Sequence, residues 1–74
     1  MKRYGNLSGN SGVIAYELGP ESIVVQFQDR QKYRYTTARA GPAAIAAMKS
    51  LALAGQGLST FIARHQPAYE EKLD

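Results

Sequence analysis

Between Val13 and Thr37 the chain alternates apolar and polar side chains three times over, each run broken by turn-forming residues, and this period-two pattern constrains the fold more than any other feature. In the first run Ile14, Tyr16 and Leu18 point one way, and Val13, Ala15 and Glu17 the other. Gly19-Pro20-Glu21-Ser22 supplies a turn. Ile23, Val25 and Phe27 then alternate with Val24, Gln26 and Gln28 in a stretch rich in β-branched residues. After the polar break Asp29-Arg30-Gln31, the third run sets Tyr33 and Tyr35 on one side and Lys32 and Arg34 on the other. A one-residue slip would send every apolar side chain to the wrong face, so few pairings survive. Across the first turn Leu18 meets Ile23, Tyr16 meets Val25 and Ile14 meets Phe27. Across the second, a two-residue loop opposes Phe27 with Lys32, whereas a three-residue loop, Asp29 to Gln31, opposes Phe27 with Tyr33 and Val25 with Tyr35. The three-residue loop is the expectation, and with it an antiparallel meander of three strands.

Helical spacing follows. Pro42 suits a first helical turn, and Ile45, Met48, Leu51 and Ala52 recur three and four apart, which predicts a helix to about Ala54. Gly55-Gln56-Gly57 interrupts it, Leu58, Phe61 and Ile62 form a second, shorter apolar face, and Pro67 marks the end. The fold class expected is α+β: a three-stranded antiparallel meander with two C-terminal helices packed on one face, that of Ile14, Tyr16, Leu18, Ile23, Val25, Phe27, Tyr33 and Tyr35. Residues 1–12, with the turn formers Gly5-Asn6-Leu7-Ser8-Gly9-Asn10-Ser11-Gly12, read as a flexible lead-in to a single domain over 13–74.

Composition narrows the class. With 74 residues and no cysteine, the chain is one small domain that buries about 60% of its unfolded surface and has no disulfide to reinforce it, so association with a second copy is in view. A 45% hydrophobic content is too high for a disordered chain. The apolar stretch from Pro42 to Leu53 spans 12 positions and contains Lys49, too short for a membrane helix of about 20 residues. Met1-Lys2-Arg3-Tyr4 leads into no apolar run of the kind a secretory signal needs. A cytoplasmic protein is expected.

Several of these segments together resemble the KTSC domain, a small module also found at the C-terminus of some lysyl-tRNA synthetases. The residues that carry the resemblance are Ile14-Ala15-Tyr16-Glu17, Ile23-Val24-Val25-Gln26-Phe27, Tyr33-Arg34-Tyr35, Pro42 at the helix start, and Gly57 before Phe61. They span residues 13–69. Ala15 and Gln31 stand where the family has glycine, and its lysine-glycine-aromatic segment is echoed only loosely by Gly55 to Phe61. The resemblance implies three strands followed by helices; the association with a tRNA synthetase suggests RNA.

Between Gln28 and Ala40 four basic residues, Arg30, Lys32, Arg34 and Arg39, outweigh one acid, Asp29, and Lys2 and Arg3 can join them from the lead-in. Such a cluster binds nucleic-acid phosphate through counterion release, and it serves equally as a solvated edge that discourages strand pairing. Because alternation places Tyr33 and Tyr35 beneath the helices, the open face lacks a stacking ring on that strand. RNA binding there is expected to be backbone-driven, weak and salt-dependent. The alternative is a protein-interaction module, a homodimer, adaptor or inhibitor, with Val13, Ala15, Val24 and Gln26 as its open-face interface.

No catalytic or metal set is complete. His65 is the one histidine, without cysteines or spaced carboxylates to join it, so no metal and no cofactor is implied, and a non-enzymatic module is expected. The glycines at 5, 9 and 12 precede a strand rather than a helix and lack a following Lys-Ser or Lys-Thr, unlike a phosphate loop. Gly55-Gln56-Gly57 does precede a helix, but a helix-helix turn accounts for it. Asn6-Leu7-Ser8 matches a glycosylation acceptor, which has no meaning without export.

Overall fold

A computed structural model describes residues 1–7, 9 and 11–73. Ser8, Asn10 and Asp74, the first two within the expected lead-in, lie outside the described residues. The elements run β1 (Lys2–Arg3), β2 (Val13–Gly19), β3 (Ser22–Phe27), β4 (Lys32–Thr36), α1 (Thr37–Ala40), α2 (Pro42–Ala54), α3 (Leu58–His65) and β5 (Glu71–Leu73). All strand pairs are antiparallel, in the spatial order β1-β2-β3-β4-β5. The chain is thus α+β, but the expected meander is the centre of a five-stranded sheet. The edge strands are two and three residues long, too short to show a period in sequence. Lys2 and Arg3, expected in the lead-in, pair with Tyr16 and Ala15.

Pairing between β2 and β3 begins as expected, with Leu18 opposite Ile23 and Tyr16 opposite Val25. A bulge between Val13 and Ala15 then resets the register, so Val13, not Ile14, lies opposite Phe27. Val13 is 1% exposed in the core and Ile14 is 38% exposed, the reverse of the alternation expected there. Between β3 and β4 the loop has the expected three residues but starts one earlier, at Gln28. Phe27 N–H donates to the Gln31 carbonyl, and Arg30, at φ +70°, takes the left-handed position that closes such a loop. Val25 therefore faces Tyr33 and Ile23 faces Tyr35, two residues from the expected register. An even shift leaves every side chain on its intended face.

The two expected helices, α2 and α3, keep their bounds, and a third, the four-residue α1, stands between β4 and α2 where none is expected. α2 begins at Pro42 and buries Ile45, Met48 and Ala52; Gly55 ends it in the left-handed region at φ +75°, its N–H donating to the Leu51 and Ala52 carbonyls. A Cβ on Gly55 would lie 3.2 Å from the Gly5 Cα, so the close approach of the N-terminal segment also requires glycine here. Lys49 Nζ donates to the Gly19 and Pro20 carbonyls at 2.6 and 3.1 Å, tying α2 to the first hairpin turn. The short α1 is capped by Thr36, whose hydroxyl accepts from Arg39 N–H at 3.3 Å. One apolar cluster joins the inner sheet face (Val13, Tyr16, Ile23, Val25, Tyr35) to Ile45, Met48, Ala52 and Leu58 from the helices, with Tyr4 added. Among the described residues no helix covers the opposite sheet face.

Candidate functional site

Residues directly opposite in an antiparallel pair share a sheet face, so the register lays out the uncovered side as rows. One row runs Arg3, Ala15, Gln26, Lys32, Leu73; the next runs Glu17, Val24, Arg34, Glu71. Three strand spacings of about 4.8 Å place Arg3 and Lys32 roughly 14 Å apart. The first row holds two cations and no acid. In the second, the Arg34 guanidinium forms an ion pair with the Glu71 carboxylate, both groups partly exposed. Arg34 thus stands between Glu17 and Glu71 along its row and contributes little free positive charge.

The four bases expected to act together are divided by the structure. Lys32 and Arg34 share the uncovered face, Arg30 sits exposed at the tip of the β3–β4 hairpin, and Arg39, on α1, borders a cleft on the helix side of the sheet. Arg3 joins Lys32 because β1 pairs with β2, a long-range contact that no local pattern announces. The expected protein-interface set also changes. Val13 is withdrawn from it, since the bulge turns this residue into the core. Ala15 and Gln26 remain on the uncovered face, half-buried, and Val24 is there but only 8% exposed, shielded by the longer stems beside it in the sheet.

Tyr33 and Tyr35 point to the helix side, as the alternation requires. Tyr35 is 3% exposed, and its hydroxyl is raised from 10.0 to about 12 by burial, then by the neighbouring Tyr33 and Tyr69 phenols. Tyr69, from the connection between α3 and β5, packs edge-on against Tyr33 with ring centroids 4.8 Å apart. No local pattern points to this third ring, because its place depends on the chain folding back after α3. That return is fixed where Glu70 N–H donates to the Arg34 carbonyl at 2.7 Å.

The remaining motifs resolve into structure. Leu58 N–H, at the start of α3, donates to the Tyr4 hydroxyl at 3.2 Å, so this helix terminus is capped by a residue 54 positions away. His65 lies against the Phe61 ring at 4.4 Å. Asn6 Oδ1 accepts from Ser11 N–H, while Ser8, the third residue of the acceptor motif, is outside the described residues. Among the described residues no group of three His, Cys, Asp or Glu side chains gathers in metal-binding geometry, and no helix is long and apolar enough to cross a membrane. Compared with protein-family models, curated proteins and solved structures, the chain finds no match among any of them.

Proposed function

We propose that the protein is a small non-enzymatic, KTSC-like binding module that takes nucleic-acid phosphate, RNA first, on the uncovered face of its sheet. The observation that carries this reading is the acid-free row from Arg3 to Lys32, with Arg30 at the adjacent hairpin tip. Cations spread across a flat, helix-free surface meet a sugar-phosphate backbone without needing a pocket. No aromatic side chain stands in either row, so bases find no stacking partner and sequence preference is weak. The protein-interaction alternative loses ground on this face, because Val13 is in the core and Val24 is largely shielded.

Anisotropy titration of a labelled single-stranded RNA at about 50 and 200 mM salt tests the reading. Affinity is expected to fall steeply with salt. The Arg3→Ala/Lys32→Ala double variant is expected to bind more weakly and to flatten the log–log salt slope by about 1.4, at roughly 0.7 for each phosphate no longer neutralised. Arg34→Ala, whose charge Glu71 already offsets, changes the slope less. Binding that ignores salt, or a double variant indistinguishable from the parent, contradicts the proposal.

A further inference from the structure

On the helix side of the sheet, beside β4, the return of the chain after α3 leaves an open cleft of about 690 Å³. Its walls bring together Phe27, Tyr33, Tyr35 and Tyr69 with Arg39 and Gln66, over a floor that includes Ile62. The volume lies within the roughly 300–1,000 Å³ of small-molecule sites, and apolar walls with a few convergent polar groups are their usual composition.

The rings are arranged as planes at steep angles: Phe27 to Tyr33 at 76°, Tyr33 to Tyr69 at 66°, Tyr35 to Tyr69 at 85°. Tyr69 is 46% exposed, so part of its ring stands open to solvent at the cleft. α3 ends at Gln66, a left-handed C-cap at φ +46° whose N–H donates to the Ile62 carbonyl, and the chain turns back toward the sheet from there. Two opposite charges stand in the lining, Arg39 and Glu70; the Glu70 carboxylate accepts from the Thr36 hydroxyl at 3.3 Å, and among the described residues no ion pair engages either of them.

We propose that this cleft binds a nucleoside monophosphate unit, its base stacked on Tyr69 and its phosphate held by Arg39. A planar ring matches the aromatic wall, a guanidinium forks onto phosphate, and the Gln66 amide offers both a donor and an acceptor to a base edge. The unit is either a free mononucleotide or the phosphorylated end of a single strand. The site lies on the side of the sheet away from the Arg3–Lys32 row and does not depend on binding there.

The test is a residue-resolved NMR titration of the full chain with adenosine monophosphate, with inorganic phosphate alone as comparison. Shifts are expected at Tyr33, Arg39, Ile62 and Tyr69, and saturating binding by the nucleotide but not by phosphate. Tyr69→Ala and Arg39→Ala should each weaken it about tenfold or more, while Tyr69→Phe, which keeps the ring and checks the fold, retains it. A short RNA with and without a 5′-phosphate then identifies the source: preference for the phosphorylated strand over the mononucleotide assigns a strand end, and the reverse assigns a free nucleotide. Absence of cleft shifts at millimolar nucleotide, equal shifts from phosphate alone, or undiminished binding by Tyr69→Ala would overturn the proposal. Shifts confined to Arg3, Gln26 and Lys32 would overturn it too, while leaving the uncovered-face reading intact.

Discussion

At the scale of single residues, the tyrosines separate what local pattern can say from what it cannot. Tyr16 and Tyr35 are buried as their alternation requires. Tyr4, inside a segment of glycines and polar residues, is equally buried because its ring joins the core and its hydroxyl caps α3. No spacing rule links position 4 to position 58. Tyr35 carries a direct consequence for stability. Its hydroxyl ionises near 10.0 when exposed and at about 12 in the folded chain, so folding favours the protonated form. That contribution is fully present below pH 10 and is lost as pH rises through about 12, up to ~3 kcal/mol in all. Chemical denaturation followed from pH 9 upward is expected to show the midpoint falling across this window, and Tyr35→Phe, which cannot ionise, to fall less. A parent and variant with identical profiles would contradict the assignment.

At the scale of elements, the three runs of alternation and the two helical spacings were legible because each is a local signal repeated over at least five residues. Even the error in the second hairpin respected parity: the loop moved by one residue, the register by two, and no side chain changed face. The bulge in β2 was different. It inserts one residue into the ladder, and alternation read through it puts Ile14 inside and Val13 outside, opposite to their places. Paired substitutions test that inversion. Val13→Ala is expected to destabilise by about 1.5–3 kcal/mol, the worth of a fully buried valine side chain, and Ile14→Ala by about 0.5 kcal/mol. Equal losses in a urea denaturation would place the bulge elsewhere. β1 and β5 escaped the sequence because two or three residues define no period, and their positions are set by the strands they meet.

At the scale of the whole molecule, a Cα radius of gyration of 10.8 Å is close to the ~11 Å of a single compact unit of this length. The helices occupy one side of the sheet, and the charge follows from that division. Basic residues that are neighbours in sequence part company across the sheet: Arg39 goes to the aromatic cleft, Lys32 and Arg34 to the bare face, and Arg30 to the hairpin tip. A charge cluster was legible; its partition was not, since it depends on which strand edge the chain turns around and on an acid, Glu71, delivered 37 residues later to Arg34. The two edge strands thereby set the character of the bare face, β1 by adding a cation and β5 by neutralising one.

The most direct measurement is an amide-shift map of labelled protein titrated with an unphosphorylated single-stranded RNA in low salt, then raised in salt at saturation. Phosphate binding on the bare face predicts shifts along Arg3, Ala15, Gln26 and Lys32 and at Arg30, all collapsing together as salt rises, with Leu53 on the outer side of α2 silent. A map centred on α2, or one along the bare face that persists unchanged in high salt, would contradict it.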